Sequence, residues 1–243
     1  MKTSNSQSVP LKPGESVDVF MDGRLRLIQS SKGYRFSVDA LLLSRFVTTR
    51  KGDWVVDLGA GCGIIGLMLL LARPPLDHVV CLEIQAVLAD QALRNASLNG
   101  FREKMSVILG DIRHPPLAAA VADVVVCNPP YRSARSGRIN PDPQRAIARH
   151  EILVSLQDIL SAAVRLLKPR GRIAMVYPAA RLADLAVKLR AFALEPKKLR
   201  MLHPGPEEDA KLVFVEAMRG ARGGLKILPP LLDQGEFSIS NAT

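Results

Sequence analysis

The chain has 243 residues, 48% of them hydrophobic, which is enough to bury one large domain with a substantial core. No apolar run approaches the ~20 residues of a membrane-spanning helix, and the polar N-terminus lacks the apolar core of a signal peptide. We therefore expect a cytoplasmic protein that does not insert into a membrane. The formal net charge of +10 favours a polyanionic partner, and nucleic acid is the commonest such partner.

The cysteine content argues against a metal site and against disulfides. Cys62, Cys81 and Cys127 are odd in number, have no metal-type spacing and lie in or beside apolar runs. They are typical of small buried residues in a reducing compartment. A catalytic thiol at Cys127 is the alternative, although the sequence places no partner base beside it. We expect no metal.

The N-terminal part predicts a small extension. Residues 1–16 are predicted to be a disordered leader, and two alternating runs joined by Asp22-Gly23 predict a β-hairpin. A helix is expected from Ala40, with Ser37 or Asp39 as its cap. We predict four segments: the leader, a hairpin and helix over residues 17–50, a main domain over residues 51–220 and a tail over residues 221–243.

The main domain alternates strands with helices, a pattern that predicts a parallel sheet covered by helices on both faces. The segment Pro204–Ala210 is too short for a crossover helix, so the last strand should be antiparallel. The sequence thus predicts an α/β fold with a seven-stranded, mostly parallel sheet. The predicted strands are Trp54–Leu58, His78–Ile84, Met105–Gly110, Asp123–Cys127, Arg172–Tyr177, Lys198–His203 and Lys211–Met218.

A glycine-rich turn follows the first of these strands. Its glycines allow a tight turn and a close approach of the backbone to a ligand, and the next helix points its positive end there. Acidic residues end the first three strands, where ligands bind in open α/β sheets. Glu83 can accept hydrogen bonds from ribose hydroxyls, and Asp111 from the amino group of an adenine. The candidate ligand-binding residues are Asp57, Gly59, Ala60, Gly61, Cys62, Gly63, Glu83, Asp111 and Ile112.

The same turn also fits a dinucleotide fingerprint. Gly61, Gly63 and Gly66 have the spacing of that motif, and Glu83 lies at about the right distance for its ribose-binding acid. Asp57 argues against it, because a carboxylate would repel a pyrophosphate but tolerate an ammonium and a sulfonium. The turn therefore favours S-adenosylmethionine over a nicotinamide dinucleotide.

A second motif, Asn128-Pro129-Pro130-Tyr131, ends the strand Asp123–Cys127. Asn128 carries an amide that accepts and donates hydrogen bonds, the prolines stiffen the turn, and Tyr131 offers an aromatic face. Such a turn is suited to a flat, hydrogen-bonding group. The alternative is a plain proline turn with a surface tyrosine.

Together these motifs resemble the class I methyltransferases with a small domain that modify planar nitrogens. Asn-Pro-Pro-Tyr occurs in their adenine-N6, guanine-N2 and glutamine-N5 enzymes. The flanking segments 32–43, 145–151 and 224–231 resemble the bacterial tRNA1(Val) (adenine-N6)-methyltransferase family. The glutamine-N5 enzymes that modify release factors carry a sizeable helical domain before the sheet, whereas only about fifty residues precede it here.

The resemblance implies a Rossmann-like fold, S-adenosyl-L-methionine as cofactor, tRNA as partner and roles for particular residues. Asn128, Pro129 and Tyr131 would be catalytic, with Asn128 also touching the cofactor, and Asp39 would close over its methionyl end. The basic residues best placed for RNA are Arg132, Arg135, Arg138, Arg145 and Arg149. An rRNA guanine-N2 enzyme, a protein glutamine-N5 enzyme and a non-catalytic RNA-binding protein remain alternatives, and the oligomeric state is open.

Overall fold

The computed structural model describes residues 9–32, 37–72, 75–129 and 154–233. It opens with an antiparallel hairpin of β1 (Glu15–Phe20) and β2 (Leu25–Ser30), which confirms the hairpin predicted around Asp22-Gly23. Strand β1 starts inside the predicted leader. The reason is that the Glu15 carboxylate accepts hydrogen bonds of 2.5 and 2.7 Å from the Arg94 guanidinium, a partner far away in the sequence.

The seven predicted strands are present in one sheet. They are β3 (Trp54–Leu58), β4 (His78–Glu83), β5 (Met105–Leu109), β6 (Ala122–Cys127), β7 (Leu167–Pro178), β8 (Leu194–His203) and β9 (Leu212–Arg219). Their order in the sheet is β8-β9-β7-β6-β3-β4-β5, and β9 runs antiparallel to both neighbours while the other adjacent pairs are parallel. This confirms the mostly parallel sheet with an antiparallel last strand.

The C-terminal segment adds two short strands that the sequence did not indicate. Strands β10 (Lys226–Ile227) and β11 (Leu231–Leu232) both pair in parallel with the outer edge of β8. Two-residue strands are too short to show an alternating pattern, so only the fold reveals them. They cover an edge that would otherwise expose unpaired backbone groups.

Helices cover both faces of the sheet and divide the core in two. One core joins the hairpin and the first three helices to the sheet, and the other packs the last two helices against the opposite face. The helices are α1 (Val38–Phe46), α2 (Ile64–Leu71), α3 (Ala86–Leu98), α4 (Leu156–Leu166) and α5 (Leu182–Ala191), the last preceded by a 3-10 turn at Ala179–Arg181. Within the described ranges, no helix is long and apolar enough to span a bilayer.

Candidate active site

The carboxyl ends of neighbouring parallel strands bring the two sequence motifs together. Leu58, at the end of β3, lies opposite Leu82 of β4 and Cys127 of β6. The chain then turns directly over β4, because the backbone N–H groups of Gly59 and Ala60 both donate to the Leu82 carbonyl, at 2.9 and 3.1 Å. The glycine turn and the residue after Cys127 therefore start side by side.

A cavity opens between these two motifs and the start of α1. Three parts of the chain meet there: the first turn of α1, the glycine turn with the start of α2, and the first residue of the Asn-Pro-Pro-Tyr motif. Its lining residues are Ala40, Gly59, Ala60, Gly61, Cys62, Ile64, Ile65 and Asn128. Asn128 and the glycine turn thus line the same cavity. It also adds lining residues that sequence reasoning missed, of which Ala40 could have been found from its place beside Asp39.

The glycine turn needs glycine for two separate reasons. Gly59, Gly61 and Gly63 all have positive φ angles, of 75°, 56° and 85°. A Cβ atom on Gly59 would come within 3.7 Å of the Ile112 side chain, which therefore lies over the turn. A Cβ atom on Gly63 would be 2.6 Å from the methyl group of the buried Met105 side chain and 3.2 Å from the Ala92 Cβ atom, so Met105 would have to move to make room.

We expect Gly63→Ala to lower the free energy of unfolding by more than Gly52→Ala does. Both glycines have φ above 80°, but a Cβ atom at Gly52 meets nothing within 4 Å. Gly52→Ala should therefore cost about 1 kcal/mol from backbone strain, whereas Gly63→Ala adds the displacement of Met105, for a total of about 2–4 kcal/mol. Urea unfolding of the two variants measures this, and equal losses would show that the close packing at Gly63 is unimportant.

Glu83 shapes the turn as well as ending its strand. It is 5% exposed, and its two carboxylate oxygens accept the backbone N–H groups of Gly61 at 2.8 Å and Gln85 at 2.9 Å. A carboxylate has about four acceptor positions and can accept several hydrogen bonds at once. The link to Gly61 was not indicated by the sequence, since it depends on how the turn folds over β4.

Asp57 is the most unusual charge in the site. It is fully buried, and neither of its oxygens makes a hydrogen bond of good geometry in the described part of the chain, the nearest donor being the backbone N–H of Gly66. Burial first, and then the negative charge of Glu83, raise its pKa to about 8, while the backbone N–H of Gly66 opposes the shift. A positively charged ligand in front of the glycine turn would lower this pKa again and stabilise the ionised form of Asp57, so the buried carboxyl group is suited to such a ligand.

The other two acidic candidates, Asp111 and Asp39, are not among the residues that line the cavity. Asp111 follows β5 as predicted, but its carboxylate is paired with Arg113 at 2.5 Å, and this hydrogen bond is the main cause that holds the pKa of Asp111 below its usual range. Asp39 lies half-buried in the first turn of α1, next to cavity-lining Ala40, and loss of solvent raises its pKa. The Ser37 side chain makes no capping bond to α1.

The cysteines are confirmed as buried, unpaired residues. Burial is the first cause that raises the pKa of Cys62, to about 12, and it also raises the pKa of Cys127. Both are therefore neutral thiols at physiological pH, which argues against the alternative of a catalytic thiolate at Cys127.

Several predicted site residues lie outside the described residues. They are Tyr131 of the Asn-Pro-Pro-Tyr motif and all five basic candidates for RNA: Arg132, Arg135, Arg138, Arg145 and Arg149. Pro129 is described, directly after Asn128 at the end of β6. The functional roles of Pro129, Tyr131 and the five arginines stay predictions.

Comparison with known proteins identifies the class. The family model described as "Methyltransferase small domain" matches residues 37–189, more than half of the chain. The tRNA1(Val) (adenine(37)-N6)-methyltransferase of Porphyromonas gingivalis is 30% identical over 207 residues, which are 82% of this chain and 80% of that protein. The enzyme of the same name from Aeromonas hydrophila is 35% identical over 146 residues, 60% of each chain.

Solved structures share the fold. A predicted O-methyltransferase of Agrobacterium tumefaciens aligns with a TM-score of 0.65 at 21% identity, covering 80% of this chain and 87% of that one. The geranyl diphosphate C-methyltransferase of Streptomyces coelicolor, solved with S-adenosyl-L-homocysteine, aligns with a TM-score of 0.56 at 15% identity, covering 75% and 77%. These likenesses confirm the class I methyltransferase fold.

The site fits the cofactor of that class. Its glycine turn lets a ligand approach the backbone, Glu83 places a hydrogen-bond-accepting carboxylate at the end of β4, and the buried Asp57 carboxyl group suits a ligand with positive charge. The cofactor is S-adenosyl-L-methionine. The chain belongs to the methyltransferase small-domain family and to the family of its tRNA1(Val) (adenine(37)-N6)-methyltransferase relatives, and it is an S-adenosylmethionine-dependent methyltransferase.

Proposed function

We propose that this enzyme methylates the exocyclic N6 of an adenine in tRNA, as the names of its relatives describe for them. The observation that carries the proposal is the shared cavity, in which Asn128 lies beside the glycine turn. A group held by Asn128 would thus be next to the bound cofactor. Since tRNA is the proposed substrate, we expect the enzyme to act in the cytoplasm.

The proposed chemistry needs two hydrogen-bond acceptors at the amine. An adenine amine is a weak nucleophile because its lone pair is delocalised into the ring. The side-chain carbonyl of Asn128 and the backbone carbonyl of Pro129 each accept one amine hydrogen, which aims the lone pair and stabilises the positive charge that develops on nitrogen. S-adenosylmethionine would supply a methyl group bound to a positively charged sulfur, for transfer by direct in-line displacement. The carbon–sulfur bond would break as the nitrogen–carbon bond forms, S-adenosylhomocysteine would leave, and the methylated nitrogen would lose one proton to water.

The cofactor contacts follow from where the strands end. We assign Glu83 to the ribose hydroxyls, Asp57 and the turn Gly59–Gly63 to the methionyl part with its positive charges, and Asp39 to closing over that part. We assign Asp111 and Ile112 to positions on either side of the adenine ring of the cofactor. For Asp111 this requires that its carboxylate accept the adenine amino group while it remains paired with Arg113.

The basic residues after the catalytic turn are proposed to hold the RNA, and Tyr131 to stack on the base that leaves its own stack. If the five arginines at 132, 135, 138, 145 and 149 each contact a phosphate, the affinity for tRNA should fall steeply with salt, with a log–log slope of about −3.5 to −4.5. Filter binding between about 50 and 200 mM salt measures this slope. A salt-insensitive affinity would contradict the assignment.

Labelled-methyl transfer distinguishes the proposal from its alternatives. The enzyme is incubated with labelled S-adenosylmethionine and with separate fractions of total tRNA, ribosomal RNA and protein. We expect label in tRNA alone. Label in ribosomal RNA or in protein would point to the guanine-N2 or glutamine-N5 reaction, and no label despite cofactor binding would point to a non-catalytic RNA-binding protein.

A further inference from the structure

Helix α3 holds the edge of the N-terminal hairpin with two asparagines one turn apart. The Asn95 side chain accepts the backbone N–H of Ile28 at 2.6 Å and donates to the Ile28 carbonyl at 3.0 Å. Asn99 does the same to Arg26, at 2.9 and 2.6 Å. The backbone N–H and carbonyl groups of Ile28 and Arg26 are therefore all paired with asparagine side chains. The two side-chain amides take the place of a neighbouring strand along this edge of β2.

The two asparagines make the same pair of bonds to β2 but differ in where their third hydrogen bond goes, and Asn95 is more deeply buried than Asn99, which caps the C-terminus of α3. Asn95 donates its second amide hydrogen to the backbone carbonyl of Cys62 at 3.0 Å, within the glycine turn. Asn99 donates its second hydrogen to the carbonyl of Asn95, inside its own helix, at 2.8 Å. Asn95 is fully buried, so water cannot substitute for any of its partners.

We propose that Asn95 is a positioning residue for S-adenosylmethionine: it fixes the glycine turn by its bond to Cys62 and couples that turn to the N-terminal hairpin. The turn is then held from two sides, by Glu83 through the N–H of Gly61 and by Asn95 through the carbonyl of the next residue. With the backbone fixed at both points, the turn needs little reordering when the cofactor binds.

The matched pair of variants tests this directly. Asn95→Ala and Asn99→Ala each remove two bonds to the hairpin, and only Asn95→Ala releases the Cys62 carbonyl. We expect Asn95→Ala to raise the KM and the Kd for S-adenosylmethionine about five- to tenfold, with kcat at saturating cofactor nearly unchanged. Asn99→Ala should leave both values unchanged. Equal effects of the two variants, or no effect of Asn95→Ala, would overturn the proposal.

A measurement on the wild-type protein covers the case in which Asn95→Ala does not fold. The Asn95 side-chain amide contacts the glycine turn, whereas that of Asn99 does not. In NMR spectra, addition of S-adenosyl-L-homocysteine should therefore shift the side-chain amide signals of Asn95 and leave those of Asn99 in place. Unshifted Asn95 signals in a saturated sample would overturn the proposal without any variant.

The role of Asn95 rests on the proposed placement of the cofactor against the glycine turn, and Glu83→Gln separates the two failures. If Glu83→Gln weakens cofactor binding while Asn95→Ala does not, only the role of Asn95 is wrong. If neither change affects the affinity, the placement of the cofactor itself is wrong.

Discussion

Replacement of Asn128 by alanine should lower kcat by about 100- to 1000-fold, the loss typical when one preorganised polar group at a reacting centre is removed. Its side-chain carbonyl is one of two proposed acceptors for the amine hydrogens. Without it, the lone pair is no longer aimed and the developing positive charge loses one partner. Binding of S-adenosylmethionine should remain largely intact, because the hydrogen bonds that hold the glycine turn to Glu83 and to the Leu82 carbonyl stay in place.

Kinetics and calorimetry on the same sample separate these effects. Asn99→Ala is the matched control: it makes the same change of side chain, at the end of α3, at a residue that does not line the cavity. Its kcat should stay close to that of the wild type. An Asn128→Ala enzyme with full activity would contradict the proposed mechanism, as would a loss of activity that is entirely explained by loss of cofactor binding.

The second large effect concerns stability and pH. Burial raises the pKa of Asp57 from 3.8 to about 8, so we expect this residue to be protonated below about pH 8 in the folded protein without cofactor and ionised above about pH 4 in the unfolded chain. Between these values the unfolded chain binds fewer protons, so the free energy of unfolding falls as pH rises. The stability that the protonated Asp57 retains is fully present below about pH 4 and is lost as the pH rises to about 8. Between these pH values the free energy of unfolding falls by about 1.4 kcal/mol for each pH unit.

Asp57→Asn should remove this dependence, because an amide does not ionise. Urea unfolding at pH 5, 6, 7 and 8 would be measured for both proteins, and the difference in free energy at each pH isolates the contribution of Asp57. We expect the variant to gain relative to the wild type by about 4 kcal/mol over these three pH units, which is comparable to the total stability of many domains. A difference that stays constant with pH would show that Asp57 is ionised in the folded protein.

The features that the sequence predicted are those encoded by neighbouring residues. The Asp22-Gly23 turn, the glycine turn after β3 and the apolar strands are local patterns, and their positions are confirmed within a few residues. Parallel strands then bring their carboxyl ends to one edge. That rule predicts that Glu83 and Asn128 lie at the same edge of the sheet as the glycine turn. The structure adds that β6 pairs with β3 and not with β5, which precedes it in the chain, and this pairing puts Asn128 beside the turn.

The features that the sequence did not predict depend on contacts between distant segments or on side-chain orientation. Asn95 meets Ile28 only because α3 packs beside the hairpin, 67 residues away in the chain. The pairing of Asp111 with Arg113 is local, but nothing in the sequence says whether that carboxylate turns toward Arg113 or toward a ligand. The neutral state of Asp57 likewise follows from complete burial, which no sequence pattern quantifies.

The most direct test of the proposed activity uses a single unmodified tRNA1(Val) transcript, the purified enzyme and S-adenosylmethionine, followed by mass spectrometry of the nucleosides. The expected result is one N6-methyladenosine per transcript, and none when guanine replaces the adenine named in the relatives, at tRNA position 37. An unmethylated transcript under conditions in which the cofactor binds, or a methyl group on any base other than adenine, would contradict the proposed function.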